Sequence, residues 1–193
     1  MKKSDQIKVG CVILAAGNST RFGVNKLFAL IDGRSMIDRA FDAVPAERLS
    51  DIVVVTQYDS IAVLAEERGF RAVINSRPDL GLSRSVMLGT EALKDRCDGI
   101  IYQAADQPRL KRGSVSEMID MFRGSPDRIV CMSSAGRRGN PCIFPRKYFD
   151  ELLALSGDSG GRSVIGRHGD DVMLFEASEA ELKDIDTPED ISE

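Results

Sequence analysis

Short apolar runs alternate along the chain with amphipathic segments, and this alternation indicates the fold class. The strand-like runs at residues 9–14, 52–55 and 99–103 are almost continuously apolar. Amphipathic segments lie between them; residues 61–68, for example, have helical spacing and end at Gly69. Continuous apolar strands that are followed by helices are typical of a parallel sheet covered on both faces. The pattern therefore predicts an α/β fold with a mostly parallel sheet.

The other predicted elements extend this alternation to the end of the chain. Strands are predicted at residues 72–74, 129–132, 142–144 and 172–175, and helices at residues 35–44, 83–94, 114–122 and 148–155. Ser114 and Glu117 have the spacing of a capping box. Residues 133–140 are predicted to form a polar loop. In such sheets, ligands bind at the carboxyl ends of the strands, so polar residues at those ends are the candidates for function.

Composition narrows the class of protein. The length of 193 residues fits a single domain, residues 1–193, and a hydrophobic fraction of 42% is enough for a sizeable core. A net charge of -4 argues against a nucleic-acid partner. No run approaches the roughly 18 apolar residues of a membrane span, and no signal peptide is apparent. Four cysteines without a C-x-x-C pair predict reduced thiols and a cytoplasmic protein, and a single histidine predicts no zinc site.

The loop after the first strand is a candidate phosphate site. Its proposed nucleotide-binding residues are Leu14, Ala15, Ala16, Gly17, Ser19, Arg21 and Lys26. Small residues let the backbone approach a phosphate closely, and successive N–H groups can form an anion nest. The arginine and the lysine add positive charge for a triphosphate. The loop has neither the Walker nor the dinucleotide-binding pattern. The alternative is an ordinary strand-to-helix turn with solvated charges.

Two aspartates are candidate metal ligands. Asp106 follows the strand at residues 99–103, where a carboxylate can hold Mg²⁺ together with phosphate oxygens and water. The alternative is a turn aspartate before Gln-Pro. Asp186 lies in the acidic segment at residues 184–190 and would be a second ligand if the fold brings it near Asp106. Helix capping is the alternative explanation for Asp186.

Two further loops carry candidate substrate contacts. The loop before the helix at residues 83–94 has hydroxyl groups that can contact a nucleobase or a ribose, and its candidates are Leu80, Gly81, Ser83 and Ser85. The second set, Asn140, Asp158 and Arg162, lies in Gly-Asn-Pro and in the glycine-rich residues 156–162, which could close over an anionic substrate. A plain helix connection and a flexible surface loop are the respective alternatives.

Taken in order, these motifs resemble one family. Residues 14–26 are similar to the L-A-A-G-x-S-x-R-x-G-x-x-K signature of the MobA-like nucleotidyltransferases. Gly-Asn-Pro at residues 139–141, the segment at residues 155–162 and the segment at residues 184–190 make the chain most similar to the molybdenum cofactor cytidylyltransferases. Ala16 looks like the CTP-using version, since GTP-using relatives tend to have Leu-Ala-Gly-Gly. Asn140 departs from the pattern, because many relatives have histidine there.

The resemblance implies a three-layer α/β/α, Rossmann-like nucleotidyltransferase fold and transfer of CMP from CTP to molybdopterin, with release of pyrophosphate. It implies that Arg21 and Lys26 hold the triphosphate and that Asp106 and Asp186 hold Mg²⁺, with Mn²⁺ as an alternative. Ser83 and Ser85 would then lie near the base or ribose. Asn140, Asp158 and Arg162 would face the acceptor.

Partners and competing functions follow from the same resemblance. The implied partners are CTP, a molybdopterin-type cofactor and, transiently, a molybdenum hydroxylase, with the chain a monomer or a weak dimer. A sugar-phosphate acceptor, a GTP-using guanylyltransferase and a non-catalytic cofactor-delivery protein are the alternatives.

Overall fold

The computed structural model describes residues 7–18 and 25–192. Seven strands form the main sheet, in the order β5-β4-β1-β6-β8-β7-β9, and β2 pairs with β3 in a separate hairpin. The strands are β1 (Val9–Ala15), β2 (Leu30–Ile31), β3 (Arg34–Ser35), β4 (Asp51–Thr56), β5 (Arg71–Ile74), β6 (Gly99–Ala104), β7 (Ile129–Ser134), β8 (Arg137–Pro145) and β9 (Val172–Glu176). The helices are α1 (Met36–Asp42), α2 (Asp59–Glu67), α3 (Leu82–Leu93), α4 (Arg112–Gly124), α5 (Phe149–Leu153), α6 (Gly161–Arg167) and α7 (Glu179–Leu182).

Helices cover the main sheet on both faces. Successive side chains of a strand point to opposite faces, and in β1 Cys11 and Ile13 pack into one core while Val12 packs into the other. The first core includes buried residues of α1, α2 and α4, and the second includes buried residues of α3, α5 and α6. The predicted three-layer α/β fold is therefore confirmed.

One strand departs from the parallel arrangement. β8 pairs antiparallel with both β6 and β7, while the other pairings in the main sheet are parallel. Ala135 and Gly136 join β7 to β8, and both have positive φ, at 49° and 75°. A two-residue turn of this kind suits the twist of a hairpin. The prediction of a polar loop at residues 133–140 was therefore wrong, because exposed polar residues of β8 extend the ladder beyond the buried sheet.

Helix starts were predicted with mixed success. Ser35 precedes α1, and its hydroxyl accepts the amide hydrogen of Asp38 at 3.2 Å, as expected of a cap. The prediction of a capping box at Ser114 was wrong, because α4 begins at Arg112 and Ser114 lies in its first turn. Glu181 accounts for the difference: its carboxylate accepts the amide hydrogen of Lys111 at 3.3 Å, which holds the chain at the start of the helix.

Across residues 7–18 and 25–192, no helix combines the length and the apolar character needed to cross a membrane.

Candidate active site

The carboxyl ends of β1 and β6 lie side by side and bring two predicted motifs together. The amide of Ala105 donates to the carbonyl of Leu14 at 3.1 Å, so the loop after β6 starts beside the loop after β1. The amide of Ile185 donates to the carbonyl of Asp106 at 3.0 Å. This bond brings the acidic segment near the C-terminus to the same edge of the sheet. The acidic segment that contains Asp186 therefore docks against the loop that contains Asp106.

Lys26 joins these two aspartates. Its Nζ donates to Asp106 Oδ2 at 2.9 Å, to Asp186 Oδ1 at 3.0 Å and to the carbonyl oxygen of Ile185 at 2.8 Å. The lysine side chain is only 12% exposed, whereas those of Asp106 and Asp186 are 27% and 57% exposed. Burial alone would lower the pKa of Lys26, but the two carboxylates outweigh that effect and raise it. Lys26 is therefore a fixed cation between two anions.

The short helix that carries Lys26 is held locally. It spans Lys26–Phe28, and the side chain of Asn25 accepts the amide hydrogen of Leu27 at 3.1 Å. Leu27 is buried in the core. The cap and the buried leucine together fix where the lysine side chain begins.

Asp184, the first residue of the acidic segment at residues 184–190, adds a third carboxyl group to which the sequence analysis assigned no role. Partial desolvation raises the pKa of Asp184 to about 6, and the charge of Asp106 adds to that effect. A hydrogen bond from Gln107 acts in the opposite direction. The available signal was the spacing of Asp184 and Asp186, since alternate residues of an extended segment share a side.

These carboxyl groups fit a hard divalent cation. Asp106 and Asp186 already share one cation, the Lys26 ammonium group, at hydrogen-bond distance. Mg²⁺ needs few protein carboxylates, because phosphate oxygens and water supply the rest of its shell. Within the described part of the chain, no group of three or more acidic, histidine or cysteine residues is arranged to hold a metal alone. Two convergent carboxylates are the kind of incomplete oxygen set that phosphate oxygens and water complete around Mg²⁺.

The loop after β1 is held by hydrogen bonds from two residues that the sequence analysis did not identify. The side chain of Gln57 donates to the carbonyl of Ala16 at 2.8 Å, and the hydroxyl of Tyr58 donates to the carbonyl of Gly17 at 2.9 Å. Both partners follow β4, and nothing in the local sequence distinguishes them. Ser19 and Arg21 lie outside the described residues.

The other two loop motifs contact each other. Gly81 has φ of +83°, and a Cβ added to it would lie 2.5 Å from the carbonyl oxygen of Gly157 and 2.6 Å from Asp158 Oδ1. The amide of Ser83 donates to the carbonyl of Gly157 at 3.1 Å. The start of α3 and the glycine-rich loop therefore form one surface, beside Leu80, which is 45% exposed.

The two serines of α3 already have protein partners. Ser85 is buried, and its hydroxyl accepts a hydrogen bond from the Asn75 side chain at 3.1 Å. The buried Ser83 hydroxyl lies 3.5 Å from the carbonyl of Leu80. Their contact with a base or ribose remains a prediction.

A cavity of about 1010 Å³ opens beside the carboxylates. Its wall includes Leu14, Asp184 and Asp186 together with Asn140 and Arg162. One predicted nucleotide residue, Leu14, therefore borders the same cavity as two predicted acceptor residues, Asn140 and Arg162. The wall also contains cationic residues that sequence reasoning missed, namely Arg137, Arg138 and Lys183. The Arg-Arg pair directly before Gly-Asn-Pro was the signal available in the sequence.

Comparisons with known proteins give one family model and several relatives. The family model described as the MobA-like NTP transferase domain matches residues 11–172. The purine catabolism protein PucB of Bacillus subtilis (strain 168) is 28% identical over 93% of this chain and 92% of its own length. The molybdenum cofactor guanylyltransferase of Desulfosudis oleivorans is 28% identical over 91% of this chain and 83% of its own length.

Solved structures share the fold. The crystal structure of Rv0371c from Mycobacterium tuberculosis H37Rv superposes with a TM-score of 0.82, at 22% identity over 96% of both chains. A structure of the same protein in complex with manganese superposes with a TM-score of 0.76 over 96% of both chains, also at 22% identity.

Proposed function

Because this chain belongs to the family of the MobA-like NTP transferase domain and is a nucleotidyltransferase of that family, we propose that it transfers CMP from CTP to molybdopterin and releases pyrophosphate. The observation that carries the proposal is the position of Lys26. It links Asp106 to Asp186, and Asp186 lines a cavity of about 1010 Å³ whose wall also includes two predicted acceptor residues, Asn140 and Arg162.

The residues suit phosphoryl chemistry without a dedicated base. A phosphate nucleophile is already ionised at neutral pH, so rate enhancement comes from positioning and from charge neutralisation. Lys26 keeps its charge, because the aspartates raise its pKa, and it can therefore face phosphate oxygens as a cation. The small residues after β1 leave the exposed backbone of Gly17 open to a ligand. Arg21 is assigned to the triphosphate by its place in the motif.

A divalent metal belongs to this proposal. Asp106 and Asp186 would hold Mg²⁺ or Mn²⁺, and such an ion, when bound, supplies a Lewis acid for phosphate oxygens. Support comes from the convergence of the two carboxylates and from the manganese complex of Rv0371c.

The cavity wall favours an anionic acceptor. Arg162 and Arg138 line it, and guanidinium groups bind phosphate with two parallel hydrogen bonds. Asn140 lines the same wall and offers an amide where many relatives have histidine. Asp158 would act at the junction with the start of α3, next to Gly81. A molybdenum hydroxylase that takes up the product would be the downstream partner.

Transfer of GMP from GTP is the second candidate function. It is favoured by the similarity to the Desulfosudis oleivorans guanylyltransferase. The base preference rests on Ala16, which lies in the loop after β1 and gives Leu-Ala-Ala-Gly rather than Leu-Ala-Gly-Gly.

The test is pyrophosphate release from each nucleoside triphosphate, with Mg²⁺ and molybdenum-loaded molybdopterin. We expect turnover with CTP and little with GTP; a preference for GTP would overturn the base assignment. Equal turnover with a sugar phosphate as acceptor would overturn the acceptor assignment. Lys26→Ala should abolish release, whereas Lys147→Ala, which removes a surface lysine paired with Asp171, should not. A cofactor-delivery protein would bind molybdopterin but release no pyrophosphate with any nucleotide.

A further inference from the structure

Two cysteines lie opposite each other in the wall of the cavity. Cys131 on β7 and Cys142 on β8 are directly paired across the antiparallel ladder, and their sulfur atoms are 3.3 Å apart. Directly opposed residues of antiparallel strands have Cα atoms roughly 4.5–5.5 Å apart, within the roughly 4.4–6.8 Å that disulfides span. The backbone therefore already has a spacing that a disulfide can bridge.

The pair differs from the other two cysteines. All four thiols are free and buried, but Cys131 and Cys142 are the ones that border the cavity. A hydrogen bond from the Cys142 thiol lowers the pKa of Cys131 and outweighs burial, which raises it; the charges of Arg138 and Arg162 act with the hydrogen bond. Burial also raises the pKa of Cys11 and of Cys97, and there it is the largest effect. The cavity thus contains one thiol that ionises more readily beside one that stays protonated.

We propose that Cys131 and Cys142 form a reversible oxidation site that a peroxide converts to a disulfide. The Cys131 thiolate attacks hydrogen peroxide, forming an S–O bond and breaking the O–O bond, and hydroxide leaves. The Cys142 sulfur then attacks the sulfenic acid, the S–S bond forms, and water leaves with the thiol proton. In total, two thiols and one peroxide give one disulfide and two waters. Two equivalents of a small thiol reverse the reaction.

Oxidation would act on the acceptor side of the cavity. Both sulfur atoms lie within hydrogen-bond distance of the Gly139 carbonyl oxygen, at 3.3 Å from Cys131 and 3.2 Å from Cys142. A disulfide has no S–H group, so this carbonyl could no longer accept a hydrogen bond from either sulfur. Gly139 directly precedes Asn140 in the cavity wall. The expected effect of oxidation on acceptor turnover rests on the proposed function, whereas the formation of the disulfide does not depend on it.

The chemical test treats the full-length reduced protein with hydrogen peroxide and counts thiols. We expect two of the four thiols to be lost, and peptide mapping to give a Cys131–Cys142 cross-link that dithiothreitol reverses. Cys97→Ser should form the same cross-link, and Cys131→Ser and Cys142→Ala should not. Retention of four thiols, a cross-link through Cys11 or Cys97, or a Cys131 sulfinic acid without cross-link would overturn the proposal.

The functional test compares pyrophosphate release by the reduced and the cross-linked protein. We expect kcat/KM for the acceptor to fall about tenfold, as when a buried carbonyl loses its donor, with KM for the nucleotide unchanged. Dithiothreitol should restore kcat/KM, and peroxide should not lower the kcat/KM of the Cys131→Ala/Cys142→Ala double variant below that variant's own untreated value. If the cross-link forms and acceptor kinetics do not change, the link to the acceptor is wrong. If the reduced protein turns over no acceptor, the proposed function fails while the cross-link still decides the oxidation site.

Discussion

Replacement of Lys26 by methionine is the sharpest test of the site, because it removes one charge and keeps most of the side-chain volume. The wild-type ammonium group donates three hydrogen bonds of 2.8–3.0 Å to Asp106, Asp186 and the carbonyl of Ile185. In the variant these acceptors lose their shared cation, and the two carboxylates repel each other.

The size of the effect follows from exposure. Breaking a fully buried ion pair costs about 3–5 kcal/mol, and an exposed pair contributes about 0–1 kcal/mol. Lys26 is 12% exposed, but Asp186 is 57% exposed, so solvent screens part of the interaction. We therefore expect a loss of about 2 kcal/mol in the free energy of unfolding, which lowers the Tm of a chain of this size by about 4–8 °C.

Urea and thermal unfolding, followed by circular dichroism, measure this loss. Lys147→Met is the matched control. The side chains of Lys147 and Asp171 are 44% and 41% exposed, so their ion pair should contribute less than about 1 kcal/mol. A Lys26→Met variant as stable as the wild type would refute the bridging role of the ammonium group. Equal losses of stability in Lys26→Met and Lys147→Met would show that the position of Lys26 between two carboxylates adds no stability beyond that of a surface ion pair.

Three other predictions concern backbone, pH and metal. Gly81→Ala should lose more than about 1 kcal/mol, because φ is +83° and the added Cβ would contact a carbonyl at 2.5 Å; Gly113→Ala, with open space around it, should lose nothing, and equal urea midpoints would contradict this. Glu181→Gln should lower Tm at pH 7. Burial alone would raise the pKa of Glu181, but hydrogen bonds to its carboxylate outweigh burial and lower it. The difference in Tm between variant and wild type should therefore vanish as pH falls below about 4, and a difference that stays constant with pH would contradict this prediction. Asp106→Asn should lose Mg²⁺-dependent pyrophosphate release by at least about 100-fold, while Asp120→Asn, which removes a surface carboxylate, keeps it; retained turnover would refute the metal assignment.

Local sequence patterns were sufficient for much of the fold. Continuous apolar runs identified β1, β4 and β6, and the Ser35 cap and Gly69 marked real helix ends. The errors occurred where tertiary contacts decide. Glu181, 70 positions from Lys111, sets the start of α4, and the positive φ of Ala135 and Gly136 turns a predicted loop into a hairpin.

The candidate site divides in the same way. The sequence by itself determined which residue types follow the strands, because a glycine-bearing loop after β1 and an aspartate after β6 are local features. It could not determine their partners. Lys26 meets Asp106 at a separation of 80 positions and Asp186 at 160. Such contacts depend on strand order and on where the last segment docks, so only the tertiary structure made one lysine the shared cation of two aspartates.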